Sequence, residues 1–507
     1  MIKGAGVKSL AQQREIADKR LATLQRIEDD IYFGYPSLDA ALKDYKCTTQ
    51  AEALARLLNK ENCFISGPAG SGKTTLINTF VDLMDAEFNG NIEIAVTATT
   101  GIAATLIGGR TLHSWAGFGI SDEPFDADKL SPFQISKHKV FKETDVLIID
   151  EISMLPAHLF TKLDATLKHF RKSSEPFGGI QMVLMGDFLQ LPPVDKGVPG
   201  IDSGFAAFTE SWKNLNLRYC YLDKAHRAKD HRLQEILQKI SRGKADASVH
   251  KAIQSRMNIE PDPNKTYTTL FTTNRNVDKF NMDQLNANKG TSHFLEMTQE
   301  GPKAEIDKLL KATPVPKVIE LKVGAKVIIT SNIRIDSGAF IANGSLGTVI
   351  SFMGKSPRVR FNDGTTHTIQ PMFYEQMKKD KYFDKVSGKD VTYEYAVARV
   401  KQYPIKLGYA ITVHKSQGQT FDGVYVDLSK CFTPGLGYVA LSRVRSLDDL
   451  IVLGVTESAY RVDEKSLKLS NFIKKKAYKS RLEVEENPSE IEAVLTSSMF
   501  RHVLWDE

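Results

Sequence analysis

The chain has 507 residues, 42% of them hydrophobic and 25% charged, with a net charge of +6 and a pI near 8.8. That length exceeds a single hydrophobic core and implies two or three domains. The ordinary composition excludes a disordered or fibrous chain, and no stretch approaches the roughly 20 apolar residues of a membrane span.

Four cysteines, Cys47, Cys63, Cys220 and Cys431, lie too far apart for a zinc motif and read as buried free thiols in a reducing compartment. Lys8, Arg14, Lys19 and Arg20 interrupt any signal-peptide core, so an intracellular protein is expected. That means cytoplasmic and nucleoid-associated in a bacterium or phage, nuclear in a eukaryote.

Residues 1–47 read as an appendage. Leu21, Leu24, Ile27 and Ile31 recur at helical spacing. From residue 48, short apolar runs at Cys63–Ile65, Ile92–Val96, Val146–Ile149 and Met182–Met185 alternate with helical stretches such as Leu76–Met84. Strands buried on both faces imply a parallel sheet covered by helices. A second α/β region starts near residue 217, with a strand at Thr268–Phe271 and a helix at Val277–Leu285. It resumes after residue 407 with strands at Val424–Val426 and Leu450–Leu453. Between its halves, residues 323–407 read as a small inserted β-barrel, with turns at Asn343-Gly344 and Asn362-Asp363-Gly364. Lys465–Arg481 carries seven basic residues and is followed by an acidic run. A nucleic-acid contact and a solvated helix face fit that stretch equally well.

Gly67-Pro68-Ala69-Gly70-Ser71-Gly72-Lys73-Thr74 matches GxxxxGK[ST] after a strand and before a helix. Its glycines let backbone N–H groups face phosphate oxygens at a helix N-terminus. Lys73 should reach the β- and γ-phosphates of ATP, and the Thr74 hydroxyl should ligate Mg²⁺. Asp150-Glu151 ends an apolar strand, where the metal needs a carboxylate and the attacking water a base. Asp150 is read as the metal ligand and Glu151 as the base. Gln190 is a candidate for sensing the γ-phosphate, and Gln50 for reading the adenine edge. Arg443 and Arg227 are candidate arginine fingers, a role worth about 10³–10⁵ in rate. Trp115, Phe118 and Phe188 read first as core and second as base-stacking or wedge residues.

Six segments resemble the petite-integration-frequency (Pif) helicases of superfamily 1B, with Dda and RecD as more distant relatives. They are Gly67–Thr75, Val96–Phe118 (VTATTGIAATLIGGRTLHSWAGF), Asp150–Leu155 (DEISML), Pro176–Val194 (PFGGIQMVLMGDFLQLPPV) and the pair Ile411–Phe421 (ITVHKSQGQTF) and Gly437–Leu447 (GYVALSRVRSL). The resemblance covers roughly residues 48–455. It implies an α/β fold with two RecA-like parallel-sheet motor domains, a small inserted β-barrel and a short wedge subdomain near 116–140. With the pattern of elements along the chain, the expected division is 1–47, 48–216, 217–322, 323–407, 408–460 and 461–507.

The resemblance further implies an ATP- and Mg²⁺-dependent 5′→3′ DNA helicase acting on single-stranded DNA and duplex junctions, monomeric when active. It carries Lys73, Thr74, Thr75, Asp150, Glu151, Gln190, Arg227, Arg443 and Gln50 over as nucleotide-site residues. Thr97, Thr99, His113, His414, Lys415 and Ser416 come over as residues that touch the strand or couple it to ATP. The family has an Arg-Gln pair where this chain has Arg227-Ala228, and an apolar residue with Trp where it has Gly408-Tyr409. A DNA-stimulated ATPase switch that remodels complexes without unwinding is the alternative, and opposite polarity a third reading.

Overall fold

The computed structural model describes residues 49–88, 91–118, 123–130, 132–193, 202, 204–222, 230–313, 315–334, 340–341, 343–384 and 389–486. The expected N-terminal helix, Cys47 and the Arg227-Ala228 pair lie outside the described residues, as do 487–507 and parts of the expected wedge. Two compact units are distinguished: residues up to Thr266 together with those from Gln417 onward, and Tyr267–Ser416.

The first unit is built on a six-stranded sheet of β1 (Cys63–Ser66), β2 (Glu93–Ala98), β3 (Arg110–Thr111), β4 (Thr144–Asp150), β5 (Gln181–Met185) and β6 (Arg218–Tyr221). The order is β3-β2-β4-β5-β1-β6, and neighbouring strands run parallel. Alternate residues of β4 enter opposite cores. Val146 and Ile148 share one with Leu54 and Leu57 of helix α1 (Thr49–Leu58) and with Ile77 and Phe80 of α2 (Lys73–Phe88). Leu147 and Ile149 share the other with Phe160, Leu163 and Trp212. A strand covered on both faces has no wet side, which is why its sequence is an unbroken apolar run. Each such side chain contributes about 1.5–3 kcal/mol.

Trp115, Phe118 and Phe188 belong to that second core and are almost fully buried, so none presents a ring for stacking on a base. The same unit holds a parallel pair, Gly423–Leu428 with Leu450–Val455, and the wholly buried helix Leu436–Leu441. The stretch expected to be a charged tail forms a 23-residue helix, Glu464–Glu486. Its Leu469 and Ile473 join the core of Phe64 and Trp212.

In the second unit, Tyr267–Phe271 pairs in parallel with Ala410–Thr412. The Asn281 side chain of helix Asn274–Ala287 holds the latter strand, donating to Ala410 O and accepting from Ala410 N. The region read as a barrel contains a five-stranded antiparallel sheet of Lys326–Ile329, Leu346–Met353, Ser356–Phe361, Thr366–Thr368 and Ile405–Leu407. Gly344 and Gly364 take left-handed turns, at φ 95° and 86°. A long hairpin, Met372–Asp384 with Lys389–Gln402, completes the unit and pairs with Thr298–Glu300. Among the described residues, no helix is long and apolar enough to cross a membrane, and the thiols of Cys63, Cys220 and Cys431 are free and buried.

Gly437 lies so close to the Ala459 carbonyl that a methyl group there would overlap it. Gly437→Ala is therefore expected to cost about 1–3 kcal/mol through overpacking. Thermal melting should fall by several degrees; an unchanged midpoint would show that the backbone gives way freely.

Candidate active site

Ligands of parallel sheets bind beyond the carboxyl ends of the strands. Four such ends carry the motifs: β1 leads into Gly67–Thr74, β2 into Thr99-Thr100, β4 into Asp150-Glu151 and β5 into Gly186–Gln190. Gly70 and Gly72 have φ of 79° and 85°, which turns the loop backbone as phosphate binding requires. The ammonium of Lys73 donates to the carbonyls of Gly67 at 2.7 Å and Pro68 at 3.1 Å. Thr74 and Thr75 are exposed at the start of α2. Gln50, on α1, donates its amide to the Ser71 carbonyl at 3.1 Å, so it braces the loop from behind.

Asp150 accepts from the Glu151 N–H at 2.8 Å. Burial, then the adjacent Glu151 charge, pushes its carboxyl up to about 7, while that hydrogen bond and Lys73 pull it down. Asp187 is also raised by burial and is likewise within reach of the Lys73 charge. Asp150 and Asp187 thus both face one cation. The Thr74 hydroxyl and the Asp150 carboxyl are oxygen donors of the kind a hard Mg²⁺ ion would take. Among the described residues no cluster of three or more His, Cys, Asp or Glu forms a richer metal cage.

Glu151 sits at φ 54°, ψ 40°, a left-handed conformation that is rare for a residue with a side chain. Several bonds hold it there. Thr99 donates its hydroxyl to the Glu151 carbonyl at 3.0 Å and its N–H to the Asp150 carbonyl at 3.1 Å. Gln417 donates to the Glu151 carboxylate at 2.9 Å, with both side chains buried. The Gln417 and Gln190 side-chain oxygens are buried without a hydrogen-bond partner. The helix Leu436–Leu441 also reaches the phosphate loop. The Tyr438 hydroxyl donates to Asp187 at 3.3 Å, and the backbone of Ala69 in the loop acts on it electrostatically. Gly435 lies against the Gln190 carbonyl, at φ 86° where a side chain would clash. Arg443 is almost fully buried; its guanidinium donates to Val439 O at 2.8 Å, Ser442 Oγ at 2.7 Å and Gln419 O at 3.3 Å.

The strand-facing candidates divide. Thr97 is fully buried in β2 and donates its hydroxyl to Ile148 O at 2.6 Å, so it ties β2 to β4 and has no surface to offer DNA. Thr99 is half-exposed and bonded to the carboxylate pair's backbone. His113 is half-buried, edge-on to Phe118. In the second unit, burial lowers the pKa of His414 below that of a free imidazole. Lys415 is exposed at its surface, yet desolvation of its ammonium, then Lys406, lowers its pKa. Ser416 is fully buried, its hydroxyl on Val413 O at 2.7 Å.

A family model described as PIF1-like helicase matches residues 48–250. A Psychrobacter protein named ATP-dependent DNA helicase Pif1 is 35% identical over 82% of this chain and 69% of its own length. The chain belongs to the PIF1-like helicase family. The solved Pif1 helicase of Candida albicans superposes with a TM-score of 0.72 at 30% identity, covering 84% of this chain and 98% of that one. A Bacteroides Pif1 structure, in complex with ADP-AlF3 and single-stranded DNA, superposes with a TM-score of 0.70 at 28% identity, covering 85% and 97%. The mixed α/β fold with parallel sheets is therefore that of the Pif1 helicases.

Within this PIF1-like site, three residues escaped the sequence reading: Gln417, Asp187 and Tyr438. Each stood inside a motif already singled out, but nothing local indicated which partner it meets. Gln417 and Glu151 are 266 positions apart, Tyr438 and Asp187 251. Gln417→Ala frees the Glu151 carboxylate to rotate. Misplacing a catalytic group costs up to about 10²-fold, so DNA-stimulated ATPase kcat is expected to fall by that order with KM for ATP nearly unchanged. Steady-state turnover checks this; a rise in KM alone would place Gln417 in nucleotide binding instead.

Proposed function

We propose that this chain is an ATP-dependent DNA helicase that translocates 5′→3′ on single-stranded DNA and opens duplex junctions as a monomer. The observation that carries this reading is the assembly of Lys73, Asp150, Glu151 and Asp187 around one phosphate loop, with Gln417 of the HKSQGQT segment bonded directly to Glu151. The Psychrobacter relative's name and the nucleotide and single strand in the Bacteroides complex support it. The polarity follows from the family resemblance. The reading places the protein wherever the cell keeps its DNA.

In this mechanism Lys73 leaves its loop carbonyls for the β- and γ-phosphates of ATP. Thr74 and Asp150 would hold Mg²⁺, whose charge would offset that developing on the phosphates. Glu151, fixed by Gln417 and Thr99, polarises the attacking water. Gln190 offers a buried acceptor at the γ-phosphate side. Gln50 supports the loop at its adenine end. Arg443 turns from its helix carbonyls toward the phosphates, with Arg227 as a second cation. His113, Lys415 and Ser416 sit in segments that meet the strand, and Gln417, next in sequence to Ser416, carries the hydrogen bond to Glu151. Removing the water-activating charge while keeping the side chain's shape separates binding from chemistry.

Glu151→Gln is expected to bind ATP normally and to lower turnover by at least about 10²; a loss of nucleotide affinity would make Glu151 structural. On duplexes bearing one single-stranded tail, unwinding is expected from the 5′ tail only. Opening from a 3′ tail would reverse the polarity. Stimulated ATP hydrolysis without opening from either would favour a remodelling switch.

A further inference from the structure

One groove of the first unit has no part in the nucleotide site. It runs between the helix Glu464–Glu486 and the segment leading into β6, and has a volume of about 780 Å³. Its helical wall presents Lys465, Lys468, Phe472, Lys476 and Lys479. These recur at three- and four-residue steps, so they share one face. The opposite wall presents Phe208, Trp212, Lys213, Arg218 and Tyr219. None of the residues lining the groove is acidic.

Lys213, Arg218 and Lys468 have carboxylate neighbours outside the lining, Glu210, Glu61 and Glu464. The Lys213 and Lys468 pairs are exposed on both sides, contribute little in water and give way readily to a phosphate, whereas Glu61 is mostly buried and is also held by Arg56. Two rings stand open, one on each wall: Phe208 is 54% exposed and Phe472 47%. Lys476 sits over the Phe472 ring, 5.6 Å from its centre, so a base stacks there by displacing that flexible ammonium. Cations interleaved with open rings match the two demands of a single strand, charge for its phosphates and flat faces for its bases. An acidic peptide would use the cations and leave the rings unexplained. A rise of 1.5 Å per residue puts Lys465 and Lys479 about 21 Å apart along the helix, room for a few nucleotides. The helix's other side faces inward. Lys474 lies over the Tyr221 ring at 5.0 Å, and its charge acts on Asp187.

We propose that this groove is a second binding surface for single-stranded nucleic acid, separate from the motif segments of the motor. It rests on the reading that the chain works on DNA, but not on ATP hydrolysis.

The test uses the full chain and a fluorescent oligothymidylate. Lys465→Glu combined with Lys468→Glu and Lys476→Glu is expected to weaken binding and to flatten its log–log salt dependence by about 2. Phe472→Ala should weaken binding on the order of tenfold. Both variants should keep DNA-stimulated ATP turnover at saturating DNA. A photoreactive phenylalanine analogue at position 472 should cross-link oligothymidylate with or without ATP. An unchanged salt slope without a cross-link would overturn the site. So would a cross-link to polyglutamate that oligothymidylate fails to compete away. Cross-linking in a protein that neither hydrolyses ATP nor unwinds would sink the motor reading and leave the groove standing.

Discussion

The constraint on which this molecule depends is the double burial of β1, β4 and β5. Because both faces of these strands are covered, their register cannot slip without driving apolar side chains into the wrong core. Their carboxyl ends are therefore fixed relative to one another. The phosphate loop, the Asp150-Glu151 pair and the Asp187–Gln190 segment all hang from those ends. Rigid strands below and backbone-bonded loops above are what a site needs when it must place charges around a triphosphate.

The electrostatics follow from that geometry. Desolvation acts on Asp150 and Asp187, and so does the Lys73 cation. Burial disfavours their charged forms, so the pocket as built calls for more positive charge than Lys73 supplies. A divalent ion with arginine side chains would meet that demand, and Arg443 follows directly on the helix whose Tyr438 bonds Asp187.

Communication is equally physical. Glu151 is held in a left-handed backbone conformation between Thr99, which follows β2, and Gln417, which follows the segment containing Lys415 and Ser416. Two stretches with the chemistry of strand contact are each one hydrogen bond from the residue that would activate water.

The sequence alone determined much of this. The glycine-lysine-threonine spacing, the apolar run ending in Asp150-Glu151 and the strand–helix alternation are local patterns, and local backbone chemistry suffices to fix a phosphate loop and a parallel-sheet class. The resemblance added the family and with it the helicase activity. Tertiary structure alone decided which motif residues point inward and which meet. Thr97 and Ser416, though polar and inside strand-facing motifs, spend their hydroxyls on carbonyls of their own fold. The aromatic rings of Trp115 and Phe188 went to the core. Gln417 found Glu151, and half of a charged C-terminal stretch turned out to seal the core with Leu469 and Ile473. Spacing along a chain encodes the direction of a side chain within one helix or strand. It carries no information on which distant element closes over that face, because that depends on how all the buried faces are covered at once.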